Sequence, residues 1–258
     1  EKDIIIPNYI FDQPVVSIAQ DSLPTSMTSL SISSNTEYLP DFEYYSNLTT
    51  FDFNNAPVDT LANNMFRDCS SLREVKNYKN IKIVSDYAFY NTYIAPTDFD
   101  FSNVTEIHTY AFRSNMDDED LIINADKYYV YLPSTVKLIE SSAFHTFYPI
   151  YYAGNTKQQF TSNYLYYNVK IDNGYYYTDN GTSATLINYL GSSTDIVVPS
   201  YINNKKVTAL ANYAFMFNKT TERIELPSTL TTIGLGTFDY TKNLHSVFIP
   251  SSVSSFGT

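Results

Sequence analysis

The apolar positions of this chain recur at a long fixed interval. A small residue followed by Phe appears at Ala88-Phe89, Ala111-Phe112, Ala143-Phe144, Ala214-Phe215 and Thr237-Phe238, with Met65-Phe66 a looser copy. The steps from Phe66 to Phe89, Phe89 to Phe112 and Phe215 to Phe238 are each 23 residues. The step of 32 from Phe112 to Phe144 is one such unit plus a nine-residue insertion, and the gap of 71 from Phe144 to Phe215 is close to three units. Other apolar residues keep the same register. Counting from Phe215, Ile224 lies at +9, Leu226 at +11, Leu230 at +15, Ile233 at +18 and Phe238 at +23. From Phe238 the same offsets reach Val247, Ile249, Val253 and Phe256. From Phe66 they reach Val75, Ile81, Val84 and Phe89, with Asn77 breaking the pattern at +11.

A helix would space these residues by three and four throughout. The +9/+11 pair instead has period 2, which predicts a short strand with both residues facing inward. Pro133, Pro227 and Pro250 follow directly and end it. Repetition at this length predicts a solenoid, in which each turn is one strand plus irregular arcs and buries its apolar side only against its neighbours. Stacked turns form a parallel sheet, and Phe66, Phe89, Phe112, Phe144, Phe215 and Phe238 form a spine along the axis. A unit of about 24 residues starting near Phe42 extends the register toward the N-terminus.

Three segments carry a family resemblance. Leu-Pro-Ser-Thr-Leu-Thr-Thr-Ile-Gly-Leu-Gly-Thr-Phe (226–238), Leu-Pro-Ser-Thr-Val-Lys-Leu-Ile-Glu-Ser-Ser-Ala-Phe (132–144) and Ala-Phe-Arg-Ser-Asn (111–115) resemble the BspA-like leucine-rich-repeat family, over nearly the whole chain. The resemblance implies an α/β leucine-rich-repeat solenoid, right-handed, with mostly short parallel strands, irregular arcs and little helix. It also implies a secreted or surface-anchored protein, since several members are adhesins that bind host matrix proteins or other cells.

Two arrays are visible. Residues 3–23 align with 195–215 at a constant offset of 192. The second copy follows two alternating runs around Asp179-Asn180-Gly181, which predict a β-hairpin. Such a hairpin commonly opens an array in the family. The first copy lacks it, and the next spine Phe would fall near residue 261, so the chain reads as a fragment. Between the arrays, Asn155 or Thr156 is expected to cap a short helix over 156–162 that covers the last turn, with Phe160 where the family commonly has Trp. The expected division is a first array over 1–170 and a hairpin with a second array over 171–258.

Composition narrows the function classes. With 16 basic and 27 acidic residues the net charge is −11, and no Lys/Arg stripe exists to neutralise phosphates, which argues against nucleic acid. No apolar run is long enough to insert into a bilayer. Only 7 Gly argue against phosphate-cradling loops. Cys69, the one cysteine, excludes an intramolecular disulfide. It occupies a +3 position otherwise held by Thr92, Asn115, Asn218 and Thr241, with Phe147 the exception, and small polar groups there are expected to bond turn backbone. His108, His145 and His245 fall at unrelated offsets, no pair shares a face at ligand spacing, and no metal or cofactor is expected. The run Asp117-Asp118-Glu119-Asp120 opens the insertion and reads as a solvated loop. Sequons at Asn47, Asn103, Asn180 and Asn218 occur about as often as composition dictates. No nucleophile or acid/base constellation is present, so an enzyme is not expected.

The candidate chemistry is therefore recognition. Alternation points Tyr129 and Tyr131 out of the sheet, beside the acidic pair Asp98/Asp100 and near Glu74, and in the second array it points out Arg223 and Phe248. Exposed Tyr provides contact area at low entropic cost. These residues are the expected docking face for an extracellular protein or glycan. The alternative is a stalk that spaces another domain from a cell wall.

Overall fold

The computed structural model describes residues 2–113, 129–145, 149–160 and 165–257. Two compact units emerge, one of residues 1–150 and 156–165, the other of 151–155 and 166–258. The only helix among the described residues is a single 3-10 turn, Pro96–Asp98. The architecture is a β-solenoid of parallel strands with almost no helix among the described residues, which do not bear out the α/β designation. Residues 156–160, expected to begin a capping helix, are not helical, and 161–162 lie outside the described residues.

In the first unit an outer parallel sheet joins Asp3–Ile5, Ser29–Ser31, Thr50–Asp52 and Glu74–Lys76 in that order. A second parallel sheet joins Thr60–Leu61, Ile83–Val84, Glu106–Ile107 and Leu138–Ile139. Each turn thus contributes two strands where the sequence predicts one. The second strands are two residues long, too short for period-2 alternation to register. Only their inward residue, the apolar +18 position, is visible in sequence.

The spine phenylalanines stack ring on ring within each unit. Neighbouring rings of Phe42, Phe66, Phe89, Phe112 and Phe144 lie 5.8, 5.4, 5.1 and 5.4 Å apart at interplanar angles of 12°, 13°, 27° and 8°. In the second unit Phe215 and Phe238 stack at 5.9 Å and 18°. The small residue before each Phe is interior: Ala88, Ala111, Ala143 and Ala214 are all fully buried.

The turn around each Phe satisfies its backbone without a regular strand. The N–H groups of Phe66, Phe89, Phe112 and Phe215 donate to Ala88, Ala111, Ala143 and Thr237 of the next turn, each at 2.8 Å. The residues two before and two after the Phe also donate across turns, as Tyr87 does to Thr109 and Asn91 to Arg113. The residues between them donate three positions back within their own turn, as Ala88 does to Ser85 and Tyr90 to Tyr87. Every second N–H is aimed along the stacking axis because the chain alternates hands. Asn64, Tyr87, Tyr110, Ser142, Tyr213 and Gly236 before the Phe, and Tyr44, Asp68, Asn91, Phe217 and Tyr240 after it, all have positive φ. Left-handed backbone costs a non-glycine residue about 1–2 kcal/mol. Inter-turn hydrogen bonds donated by Tyr44, Asn64, Asp68, Tyr87, Asn91, Tyr213 and Phe217 offset it there, and stacked rings add to this, as between Tyr87 and Tyr110 at 4.9 Å.

Residues 156–160 close this unit by an extended route. Phe160 N–H donates to Ile139 O at 2.9 Å, and the buried Gln158 accepts the Ile139 N–H at 2.8 Å. Phe160 then packs edge-on against Phe144, the last ring of the spine, at 6.1 Å.

The second unit opens on an antiparallel meander. Val169–Asp172 pairs with Tyr175–Asp179, which forms the predicted hairpin with Ser183–Tyr189. Ser183–Tyr189 then pairs in parallel with Lys205–Leu210, and the sheet continues through Thr232–Ile233 to Ser255–Phe256. An outer parallel sheet joins Asp195–Val197, Arg223–Glu225 and Ser246–Phe248. The 192-residue offset is structural as well. Tyr9–Ile10 and Gln13–Pro14 form a small hairpin through left-handed Phe11 and Asp12, and Tyr201–Ile202 with Lys205–Leu210 do so through Asn203 and Asn204.

Candidate functional site

The residues predicted to recognise a partner fall on two surfaces, one in each unit. In the second unit the outer sheet holds three strands in register, so Asp195, Arg223 and Ser246 form one outward column and Val197, Glu225 and Phe248 the other. Ile196 and Ile224 are buried between the columns. Val197 is 68% and Phe248 66% exposed, so the outward face carries apolar groups where a solvated sheet carries polar ones. With Arg223 they line a shallow groove of about 550 Å³. Arg223 Nε lies 3.7 Å from Asp195 Oδ1, an exposed contact that leaves the guanidinium accessible.

In the first unit Glu74 and Asp98 meet in a depression of about 420 Å³ that Arg73, Tyr78, Ile94 and Phe99 also line. Glu74 pairs with Lys76 at 3.1 Å, and Arg73 stacks 4.2 Å over the Tyr93 ring. Asp98 and Asp100 are exposed, and they do not flank a strand. Pro96 opens a 3-10 turn there, because its ring fixes φ and it has no N–H to give a ladder. Asp100 is tied into the fold: its N–H donates to the Tyr78 hydroxyl at 2.7 Å and its carboxylate accepts the Ser102 N–H at 2.9 Å. Tyr131 lies on the outward side of Val130–Leu132 but is half-buried, as is Tyr129. Burial raises the Tyr129 hydroxyl pKa, and the neighbouring charge of Asp98 adds to the shift.

A third constellation escapes the sequence reading. Asp86, His108 and Glu140 come together, with one ligand atom from each within 4.8 Å of the others. His108 Nε2 stands 3.2 Å from Glu106 Oε2, and Nδ1 stands 3.4 Å from Glu140 Oε1. Asp86 Oδ1 and Glu140 Oε2 both accept the single Thr109 N–H, at 3.0 and 3.1 Å, and Glu140 also accepts the Thr109 hydroxyl at 2.9 Å. The sequence reading compared the histidines only with one another, so this meeting of one histidine with two carboxylates lay outside it. The usable signal was the offset from the next spine Phe: Asp86 lies three residues before Phe89, and His108 and Glu140 each lie four before theirs. Stacking turns brings equal and adjacent offsets together across any distance in sequence.

The +3 positions behave as predicted. Thr92 Oγ1 donates to Phe89 O at 3.0 Å, and Asn218 Oδ1 accepts the Thr220 and Thr221 N–H groups. Asn115, the acidic run 117–120 and Phe147 lie outside the described residues. Two of the sequon asparagines are structural donors to the preceding turn, Asn47 Nδ2 to Thr25 O and Asn103 Nδ2 to Lys79 O.

No helix among the described residues is long and apolar enough to cross a membrane. No curated protein matches the chain. Among solved structures, it is similar to a leucine rich cell surface protein from Faecalibacterium prausnitzii, at 16% identity over 98% of this chain and 70% of that one, with a TM-score of 0.48. It is also similar to a leucine-rich repeat protein from Eubacterium ventriosum, at 22% identity over 94% of this chain and 62% of that one, TM-score 0.44. A T. pallidum leucine rich repeat protein matches at 26% identity over 34% of this chain, TM-score 0.32, and the match spans 42% of that chain. The BspA-type leucine-rich repeat region matches in six copies over residues 3–118 and 192–258. With this match over most of its length, the aromatic spine and the stacked parallel strands, the chain belongs to the BspA-type leucine-rich repeat family.

Proposed function

We propose that the chain is a non-enzymatic surface or secreted protein that binds an extracellular protein or glycan through the outward residues of its solenoid sheets. The observation that carries this reading is the pairing of exposed Val197 and Phe248 with Arg223 on a rigid three-strand ladder. Apolar side chains held outward by a sheet whose inner face is committed to the core lose little entropy on docking. An adjacent guanidinium provides directional bonds to carbonyl, carboxylate or hydroxyl oxygens. The depression around Glu74 and Asp98 is the corresponding candidate in the first unit, with Tyr129 and Tyr131 as its half-buried neighbours.

The test is retention of the protein on arrays of matrix proteins, mucins and glycans, followed by titration against the best ligand. Truncating a central interface anchor costs about 2 kcal/mol or more, roughly a thirtyfold loss of affinity. Phe248→Ala and Arg223→Ala are each expected to weaken binding by that order with the melting temperature unchanged. A ligand bound equally by wild type and both variants removes this face from the proposal. A protein that retains nothing from any array supports the stalk instead.

A further inference from the structure

The Asp86/His108/Glu140 cluster has a charge arrangement that its own atoms do not satisfy. A neutral imidazole has one N–H and one lone pair. His108 nevertheless faces a carboxylate at each nitrogen, Glu106 at 3.2 Å and Glu140 at 3.4 Å. One of these contacts sets a lone pair against an anionic acceptor. The same shortage recurs at Thr109, where one backbone N–H serves both Asp86 and Glu140. Among the described residues no lysine or arginine pairs with Asp86, Glu106 or Glu140. Asp86, Glu140 and the His108 imidazole therefore meet at one place, with Glu106 on the far ring nitrogen and no lysine or arginine paired among them.

We propose that Asp86, His108 and Glu140 form a binding site for a divalent transition-metal ion of the zinc class. His108 ligates through Nδ1 while its Nε2–H donates to Glu106. Nitrogen and carboxylate donors suit such an ion, and tetrahedral ligands at zinc distances stand about 3.3 Å from one another. The Nδ1–Glu140 separation of 3.4 Å already has that value. A carboxylate on the second ring nitrogen is the usual companion of a metal-binding histidine, since it fixes tautomer and ring orientation. The ligands come from three successive turns whose backbones are bonded to each other, so the donors are placed before any ion arrives. All three side chains are half-buried, which leaves a fourth position for water or a donor from a partner.

The experiment is calorimetric titration of the metal-freed protein with Zn2+, and in parallel with Co2+ followed by its visible absorption. One ion per chain is expected, with the cobalt bands of a low-symmetry, nitrogen-containing site. His108→Ala is expected to abolish stoichiometric uptake, and Asp86→Asn to weaken it. Glu106→Gln is expected to keep the stoichiometry while affinity falls about 10- to 100-fold, as loss of an outer carboxylate does. His145→Ala is expected to change nothing. Melting curves in chelator verify that each variant is folded. No uptake by wild type overturns the site. Uptake that persists unchanged in both His108→Ala and Asp86→Asn overturns it too.

Discussion

At Cys69 the thiol is fully buried between two turns, its Sγ 3.0 Å from the Phe42 carbonyl oxygen. Burial pushes its pKa up to about 12, so the thiolate needed for nucleophilic attack is absent at neutral pH. It does what Thr92 does one turn later, filling the +3 position and donating to turn backbone. The folded protein is therefore expected to resist a thiol reagent such as DTNB at pH 8 and to react once denatured. Stoichiometric labelling within minutes under native conditions contradicts this placement. The same scale explains how a chain with 7 Gly turns so often. Asn, Asp and, less usually, Tyr and Phe occupy the left-handed positions. Asn and Asp tolerate them because their short polar groups bond locally. Several of the aromatic ones stack on their counterparts in the next turn, as Phe217 does on Tyr240 at 5.1 Å and Tyr87 on Tyr110 at 4.9 Å.

Among the elements, the opening hairpin of the second unit has the clearest electrostatic dependence. The Asp179 carboxylate accepts from Lys170 Nζ at 3.0 Å and from the Gly181 N–H at 2.8 Å. These bonds, that from Lys170 first, lower its pKa from 3.8 to about 2. Lys205 reaches both this carboxylate and the Gly181 carbonyl, tying the tip to the first solenoid strand. A depressed carboxylate pKa stabilises the fold above the unfolded value, and that contribution disappears as the pH falls through the folded value. The melting temperature of wild type is thus expected to exceed that of Asp179→Asn at pH 5 to 7. The difference should close between about pH 4 and 2. A gap that stays constant over that window argues against the assignment. This hairpin was legible because Asn180-Gly181 sits between two alternating runs. The 3-10 turn at Pro96–Asp98 was not, because Phe99 and Phe101 keep strand-like spacing while the proline before them denies the ladder.

At the largest scale, each unit is a stack whose turns depend on their neighbours, and the spine is where that dependence is concentrated. Phe112 is buried between Phe89 at 5.1 Å and Phe144 at 5.4 Å. Phe112→Ala is expected to cost about 3–5 kcal/mol in chemical denaturation, as core aromatic truncations do. A loss below about 1 kcal/mol places the residue outside the core. Read alone, the chain determined its repeat, its spine, its two related arrays and its opening hairpin. Each of these is written as a spacing between residue types that stacking must satisfy, and a spacing survives without coordinates. Only the tertiary structure decided that each turn carries a second strand, that 156–160 caps without a helix, and that Asp86, His108 and Glu140 meet. Those features depend on backbone hydrogen bonds between turns and on which side chains fall at neighbouring offsets, and neither leaves a periodic trace in one turn of sequence.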